Sequence, residues 1–319
     1  MRNRRALTVA MFHRVLARSD PRAAAADWTW TVSDEFFAAC LWFFVKHYHV
    51  IAIQDLLDSL TGRELPERPL LITFDDGWAD IEEYAAPLLR QMNLPSVVFV
   101  IAEAVGGREP WSETVRRLWR SEETRPLVGQ AVGDATGLKS IDTFEQLRSA
   151  IDSLSRLDPE IRRALTDKLR ERSTVRDEML SLDQLSSLSS SGCAIGSHGL
   201  THASIPLAPD PWRELHESRR MLNRMLANGA RSPEVFSFPN GRYNADSIRL
   251  AGEAGYACVF TSESYLNSIP GRQPGPLVFG RIYIGPGYAD SNGRLREEEL
   301  ATGLFLRPVV SAGAVCEDA

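Results

Sequence analysis

Polar residues capable of catalysis follow four short apolar runs of this sequence, each with the composition of a buried β-strand. They are His13, the pair Asp75 and Asp76, residues 198–202 and residues 239–241. In parallel α/β folds the carboxyl ends of the strands share one face, and catalytic groups gather there. We therefore expect the four groups to converge in space although they are far apart in the sequence.

Two of these groups together have the composition of a metal site. His198 and His202 are four residues apart, so both imidazoles can ligate one ion if the segment between them turns. Asp76 would complete a set of two histidines and one carboxylate, which leaves positions open for water and substrate. The alternative interpretation is that the histidines cap local backbone and that residues 75–77 form only a tight turn.

The two neighbouring aspartates are expected to have different roles. Adjacent side chains diverge where they leave a strand, so Asp76 can ligate a metal while Asp75 faces a water molecule. A metal ion lowers the pKa of its bound water to roughly 7, and a nearby carboxylate can accept the proton as the water attacks a carbonyl carbon. The chemistry that this predicts is hydrolysis of an amide or an ester.

The remaining sequence predicts the alternation of strands and helices that is typical of a parallel α/β fold. The predicted strands lie at about 7–12, 50–53, 69–74, 96–101, 193–197, 235–238, 256–260 and 279–284, and the predicted helices at about 34–47, 79–92, 182–190, 211–228 and 245–255. Between about 106 and 179 apolar residues recur at helical spacing without a strand pattern, which predicts a helical insertion. The main domain is predicted to span 1–285, and the sequence of 286–319 predicts no definite structure.

Composition and charge exclude several classes of protein and partner. The chain has 319 residues, 44% of them hydrophobic, which is ordinary for a globular protein and excludes a disordered or fibrous chain. A formal net charge of -6 offers little to nucleic acid or to an anionic membrane, so we expect neither as a partner. Four scattered cysteines indicate no disulfide framework. The apolar runs are too short for a signal peptide or a bilayer span, which predicts no transmembrane segment and a cytoplasmic location.

Three segments resemble, in order, the successive motifs of the polysaccharide deacetylase family, also called the NodB-homology family or carbohydrate esterase family 4. They are Ile-Thr-Phe-Asp-Asp-Gly at 72–77, Gly-Ser-His-Gly-Leu-Thr-His at 196–202 and Phe-Ser-Phe-Pro-Asn-Gly at 236–241. The resemblance covers about residues 7–284 apart from the insertion, and three ordered motifs are specific. It implies a distorted (β/α) barrel with a helical insertion, and metal-dependent removal of an N-acetyl group from an amino sugar of a polysaccharide or glycoconjugate.

The resemblance also implies roles for individual residues. Asp75 would be the general base, and Asp76, His198 and His202 would bind a divalent metal ion, usually zinc. The backbone N–H of Asn240 matches the family position that helps to hold the oxyanion, a role that needs an amide and not a particular side chain.

The third motif departs from the family pattern. Ser237 stands where the family commonly has an arginine that contacts the catalytic aspartate. Arg281 on the last predicted strand could supply this contact from another direction, but Arg242 is also near in the sequence. Both arginines remain candidates.

The general acid is the second departure. The late family motif usually supplies a histidine for this role, and no histidine follows His216 in this chain. We expect His13 to donate the proton, because it ends the first predicted strand and a pKa near 6.5 suits proton donation. The alternative is that His13 is only hydrogen-bonded near the rim of the barrel.

The substrate is predicted to be an N-acetylated sugar, an oligosaccharide or a lipid-linked glycan. Trp28, Trp30, Trp111 and Trp119 could stack on sugar faces, with ordinary packing as the alternative, and the insertion could be a lid or a docking surface. Two other functions stay open. The same metal site could act on a formamide or another non-peptide amide, or the chain could be a catalytically weak, sugar-binding relative.

Overall fold

The computed structural model describes residues 3–24, 26–107, 109–138, 140–171, 178–226, 234–269 and 275–312. The chain divides into two compact units. The first comprises Met1–Asp20, Asp27–Gly107 and Met179–Ala319, and the second comprises Pro21–Ala26 and Arg108–Glu178. The predicted insertion at about 106–179 therefore corresponds to most of the second unit.

The first unit is built on short strands rich in β-branched and aromatic residues, which favour extended backbone. The strands in its described residues are β1 (Thr8–Phe12), β2 (Arg14–Val15), β3 (Thr31–Val32), β4 (His49–Val50), β5 (Pro69–Phe74), β6 (Ser96–Val100), β7 (Cys193–Ser197), β8 (Val235–Ser237), β9 (Cys258–Phe260), β10 (Leu266–Ser268), β11 (Leu277–Phe279), β12 (Ile282–Tyr283) and β13 (Val309–Ser311). Each predicted strand position contains a strand in the structure, except that residues 51–53 lie outside β4.

The main sheet is parallel and curls into an incomplete barrel. Its strands are hydrogen-bonded in the order β11-β9-β8-β7-β6-β5-β1-β12, and β4 pairs with the start of β5. Two small parallel pairs, β2 with β3 and β10 with β13, lie outside this path. The predicted α/β class with a distorted (β/α) barrel is confirmed.

The helices cover the outer face of this sheet or form the second unit. In chain order they are α1 (Asp34–His47), α2 (Ile53–Ser59), α3 (Ala86–Gln91), α4 (Trp111–Arg120), α5 (Arg125–Thr136), α6 (Phe144–Ser155), α7 (Pro159–Glu171), α8 (Leu182–Ser190), α9 (Pro211–Met225), α10 (Ala245–Glu253) and α11 (Glu297–Phe305). Ser33 caps α1 by accepting a hydrogen bond from the Phe36 N–H, and Asn244 caps α10 in the same way. The predicted helix at 79–92 contains a π-helical turn, Ile81–Ala85, before α3.

Alternate residues of each strand face opposite layers of the fold, as a period of two requires. In β5, Leu71 packs against residues of other strands, including Phe99 and Phe260. Its neighbour Ile72 belongs to the core that includes Phe37 of α1. The strand is buried along its whole length, so its direction and its carboxyl end are tightly fixed.

The last predicted strand, 279–284, is wrong as a single strand. The chain leaves β11 at one edge of the sheet and enters β12 at the other, and only Gly280 and Arg281 connect the two edges. A Cβ on Gly280 would lie 2.6 Å from Glu263 O and from the Tyr265 ring, so glycine permits this close passage. The Asn267 side chain fixes the backbone of Gly280, because it accepts a hydrogen bond from Gly280 N (2.8 Å) and donates one to Gly280 O (3.0 Å).

The segment 286–319 contains regular structure that the sequence did not predict. It forms α11 and then β13, which pairs with β10 in register from Leu266 with Val309. Residues 313–319 lie outside the described part of the chain. Within the described ranges, no helix combines the length and the apolar character needed to cross a bilayer.

The second unit is a helical bundle with its own core. Apolar residues of α4, α5 and α6 pack together, among them Leu118, Val128 and Leu147. The indole N–H of Trp119 donates to Ile141 O (2.8 Å), and a guanidinium lies over the Trp111 ring. These two tryptophans, expected from the sequence as candidate sugar contacts, are therefore engaged in packing within this unit.

Candidate active site

The residues predicted from the sequence lie at the carboxyl ends of strands in the main parallel sheet of the first unit. Asp75 and Asp76 follow β5, His198 follows β7, and Asn240 lies in a short turn after β8. His13 follows β1, which is the neighbour of β5. The sheet order therefore brings to one edge residues that are far apart in the sequence, from His13 to Asn240.

Asp76, His198 and His202 form a compact group of potential metal ligands. One ligand atom from each residue lies within 4.8 Å of the others. The Oδ1 atom of Asp76 is 3.5 Å from Nε2 of His198 and 3.5 Å from Nε2 of His202. A single carboxylate oxygen thus faces both imidazoles, as the predicted set of two histidines and one carboxylate requires.

The orientation of His198 suits metal binding. Its Nδ1 lies 2.9 Å from the carbonyl oxygen of Ser237, so Nδ1–H is the donor and the Nε2 lone pair points to the ligand group. Burial lowers the pKa of His198 to about 3, which keeps the imidazole neutral at ordinary pH. A neutral imidazole is the form that binds a metal.

Three of the predicted site residues have left-handed backbone conformations. The φ angles are 74° for Asp76, 68° for His202 and 58° for Asn240. Such values are uncommon for residues other than glycine. Among the described non-glycine residues, only Arg68 and Asn93 also have a positive φ. Strain of this kind persists where the surrounding structure over-determines it and is concentrated at functional sites.

Asp75 is held by a two-pronged ion pair with Arg281. Both guanidinium Nη atoms donate to the carboxylate at 2.6 Å, and the Ser237 hydroxyl donates to Oδ2 at 3.3 Å. Burial alone would raise the pKa of Asp75, but the Arg281 cation outweighs it and holds the pKa well below its usual range. Arg242, the other candidate, is exposed, so the structure selects Arg281 as the contact of Asp75.

The Asp75 carboxylate and the group of potential metal ligands are adjacent. Oδ2 of Asp75 lies 3.9 Å from Nε2 of His198. Arg281 also donates to the Ser237 hydroxyl (2.8 Å) and to Thr261 O (2.9 Å), so its guanidinium is fixed on several sides. Ser237 thus contributes a hydroxyl where the family commonly has an arginine.

His13 lies against two aromatic rings. Its ring centroid is 4.7 Å from that of Trp30 and 5.8 Å from that of Tyr283, and the Trp30 and Tyr283 centroids are 5.0 Å apart. In the described structure its buried Nδ1 has no hydrogen-bond partner. The alternative interpretation, in which His13 is only a hydrogen-bonded residue near the rim of the barrel, thus finds no hydrogen bond at Nδ1 in the described structure.

Asn240 is exposed and lies in the turn after β8, where its backbone is left-handed. Its side-chain amide donates to the Ser204 hydroxyl at 3.4 Å. The next residue, Gly241, also has a positive φ of 65°, and a Cβ there would lie 1.7 Å from Ser262 Oγ. This turn is therefore closely packed on one side, and a side chain at position 241 would require Ser262 to move.

The structure adds a residue that the sequence did not single out. Glu214, in the first turn of α9, is buried and accepts hydrogen bonds from Leu200 N (3.0 Å), Thr201 N (2.9 Å) and Thr201 Oγ1 (2.7 Å). These donors lie between His198 and His202. The amphipathic pattern of α9 could not reveal this contact, because it shows only which face is apolar.

The sequence matches the polysaccharide deacetylase family over residues 62–130 and 146–259, which is more than half of the chain. The protein YxkH of Bacillus subtilis (strain 168) is 20% identical over 288 residues, which cover 89% of this chain and 74% of YxkH. The solved structures that share the fold include the following two. The Streptococcus pyogenes deacetylase PplD in complex with acetate has a TM-score of 0.60 and 17% identity, covering 95% of this chain and 99% of PplD. IcaB from Ammonifex degensii has a TM-score of 0.58 and 20% identity, covering 88% and 93%.

These matches define the class of the protein as a hydrolase of carbon–nitrogen bonds on a (β/α) barrel. The chain belongs to the polysaccharide deacetylase family. The resemblance stated from the three motifs is thus confirmed.

Proposed function

We propose that this chain is a metal-dependent hydrolase that removes the N-acetyl group from an amino sugar of a polysaccharide or glycoconjugate. The observation that carries the proposal is the juxtaposition of two groups. The Asp76, His198 and His202 ligand atoms lie within 4.8 Å of one another, and the Asp75 carboxylate is 3.9 Å from His198. A ligand group beside an ionised carboxylate is the arrangement that hydrolysis of an amide needs.

The donor set fits a divalent transition metal. Two neutral imidazoles with a carboxylate are ligands that zinc accepts, and the hydrogen bond from His198 to Ser237 O fixes the required tautomer. Asp76, His198 and His202 would hold the ion, for which zinc is the proposed identity. When bound, the ion supplies Lewis-acid activation of the acyl carbonyl and of water.

Asp75 is proposed as the proton acceptor. Arg281 keeps its carboxylate ionised, so the side chain can accept a hydrogen bond and then a proton. Each carboxylate oxygen has room for about two hydrogen bonds. Oδ1 accepts one, from Arg281, and therefore keeps acceptor capacity.

His13 and Asn240 are proposed to complete the site. His13 would donate a proton to the leaving amine, and the Trp30 and Tyr283 rings beside it would limit the access of water. The backbone N–H of Asn240 would donate to the oxygen that develops negative charge on the acyl carbon. The products would be acetate and a free amine on the sugar.

The test is acetate release from an N-acetylated amino-sugar oligosaccharide by the zinc-loaded chain, with metal content measured on the same samples. Asp75→Asn is expected to keep about one metal ion per chain and to lose roughly 10²–10⁴-fold in rate, as expected for a general base. His198→Ala is expected to lose both metal and activity. His216→Ala, on the exposed side of α9, is the control and should retain both.

Three results would change the proposal. Full activity in Asp75→Asn would remove the base assignment. Faster release of formate from an N-formyl sugar than of acetate from the N-acetyl sugar would favour the formamide alternative. Binding of the oligosaccharide without release of either acid would favour a sugar-binding relative. The cytoplasmic location stays a prediction from the sequence.

A further inference from the structure

The two oxygens of the Asp76 carboxylate have different surroundings. Oδ1 faces both histidine Nε2 atoms at 3.5 Å, whereas Oδ2 accepts a hydrogen bond from the indole Nε1–H of Trp78 at 3.0 Å. Both Asp76 and Trp78 are buried, so this hydrogen bond is shielded from water. Trp78 therefore occupies one oxygen and leaves the other directed at the histidines.

The Trp78 ring is itself held by a buried cation. The Arg14 guanidinium carbon lies 4.2 Å from the centre of the indole, within the range of a cation–π contact. Arg14 is paired with Asp80 through Nε and Nη2, each 2.7 Å from Oδ2 of that residue. The other Asp80 oxygen accepts the Val15 N–H at 3.1 Å, so the ion pair is anchored to the backbone after β1.

The backbone also restricts Trp78. Gly77 has a φ of 84°, and a Cβ there would lie 3.1 Å from Val100 Cγ1, so the chain turns tightly against β6. Gly77 O accepts the Leu180 N–H (3.0 Å), and Trp78 forms an isolated antiparallel bridge with Met179. The indole thus has little freedom to leave Asp76.

We propose that Trp78 is a positioning residue that holds the Asp76 carboxylate so that only Oδ1 is presented to a metal ion, and that the Arg14–Asp80 pair fixes Trp78. The inference rests on the metal site of the proposed function and adds residues to it. Groups that bind the ligands of a metal orient them and raise the affinity, and their removal typically costs about 10–100-fold in affinity. A buried ion pair contributes little net stability, so the role inferred for Arg14 and Asp80 is orientation.

The experiment titrates the metal-free, full-length chain with Co²⁺ and records both the dissociation constant and the visible absorption of the bound ion. Trp78→Phe retains an aromatic ring but removes the N–H. We expect it to bind Co²⁺ about 10–100-fold more weakly and to change the absorption spectrum, because Oδ2 is then free to approach the ion. Trp42→Phe, an exposed tryptophan on α1, is the matched control and should leave both unchanged.

A second variant tests the Arg14–Asp80 pair. It also keeps the proposal testable if Trp78→Phe folds poorly. Arg14→Lys keeps the charge but loses the planar fork and the stacking, so weaker Co²⁺ binding is expected, with a smaller decrease than for Trp78→Phe. Urea unfolding of the metal-free chains separates positioning from packing, since a purely structural role would lower stability and leave the Co²⁺ spectrum unchanged.

The outcomes are distinct for the two proposals. Co²⁺ binding by the wild-type chain with unchanged affinity and spectrum in Trp78→Phe would overturn the role of Trp78 and leave the metal site intact. Failure of the wild-type chain to bind Co²⁺ would overturn both.

Discussion

The two segments that carry the proposed metal ligands are held in place in different ways. In the turn after β5 the two carboxylates are themselves held by side chains, since Arg281 binds Asp75 and Trp78 binds Asp76. The loop after β7 is fixed through its backbone, since Glu214 binds two of its N–H groups. The first segment therefore depends on contacts with its two carboxylates, and the second depends in addition on contacts with the backbone between its two histidines.

This difference follows from local geometry. Asp75 and Asp76 leave the end of a fully buried strand, where the backbone is already fixed by pairing with β1 and β6 and only the side chains need orientation. The five residues from His198 to His202 leave β7 as a longer loop with a ligand at each end, so hydrogen bonds to the backbone between them set the position of both histidines. Ala102 N donates to Gly199 O at 3.0 Å and thus adds a contact from the neighbouring segment. Substitutions should therefore act on single residues in the first segment and on both histidines in the second.

The largest effect on stability is expected from Arg281→Met. The substitution removes the cation and leaves the Asp75 carboxylate buried without its partner, so the free energy of unfolding should fall by about 3–5 kcal/mol. Urea unfolding of the metal-free chain measures this, and acetate release should fall at the same time. Arg242→Met, at the exposed arginine that the sequence also offered, is the control and should have little effect.

A double variant makes this prediction sharper. Asp75→Asn combined with Arg281→Met removes both charges, so it should be more stable than Arg281→Met alone. Equal stability of the single and double variants would show that the ion pair is not the cause of the loss. Activity should stay low in both, because neither retains an oriented, ionised Asp75.

The choice of Arg281 shows what the sequence could and could not predict. Apolar runs ending in polar residues indicated the strands after which Asp75, His198 and Asn240 lie, because a buried strand leaves a clear pattern. The contact between Asp75 and Arg281 depends on how the two edges of the sheet meet at Gly280, which is a tertiary property. Local patterns therefore indicated candidate residues, while the contact between Asp75 and Arg281 depends on the topology of the sheet.

The second largest effect is expected from Glu214→Gln, and it should appear in metal binding. A glutamine keeps one oxygen for the Leu200 and Thr201 N–H groups, but these hydrogen bonds lose the negative charge that strengthens them, and the Thr201 hydroxyl has to change from donor to acceptor. The loop should loosen and the affinity for Co²⁺ should fall by about tenfold, in the range seen for groups that support metal ligands. Titration with Co²⁺ measures it, with Glu217→Gln, a partly exposed residue of the same helix, as the control.

An unchanged Co²⁺ affinity in Glu214→Gln would mean that the loop keeps its shape without this carboxylate, and the contrast between the two segments would fail. The sequence could not single out Glu214 from the other acidic residues of α9. An acidic residue in a first turn is also explained by the helix dipole, so only the buried contact with residues 200 and 201 distinguishes it.

The smallest effect is expected from Tyr256→Phe, which weakens the support of α9 without touching the loop. The hydroxyl donates to Leu215 O (3.0 Å) and lies 3.2 Å from Ser218 Oγ, which contacts Ser197. Its loss should lower the free energy of unfolding by about 1 kcal/mol near neutral pH and leave Co²⁺ affinity unchanged. A large loss of affinity would show that the position of α9, and not the Glu214 contact alone, controls the loop.

The stability difference between the wild-type chain and Tyr256→Phe should depend on pH, and the burial of the hydroxyl determines the direction. Burial raises the pKa of Tyr256 to about 12, so the folded chain favours the neutral hydroxyl. The unfolded chain ionises near pH 10, and the stabilisation from this group is therefore complete below about pH 10 and is lost as the pH rises towards 12. Urea unfolding from pH 8 to pH 11 should show the wild-type advantage over Tyr256→Phe shrinking as the pH rises. An advantage that stays constant would mean that the hydroxyl is as free to ionise in the folded chain as in the unfolded one, contrary to its buried contacts on α9.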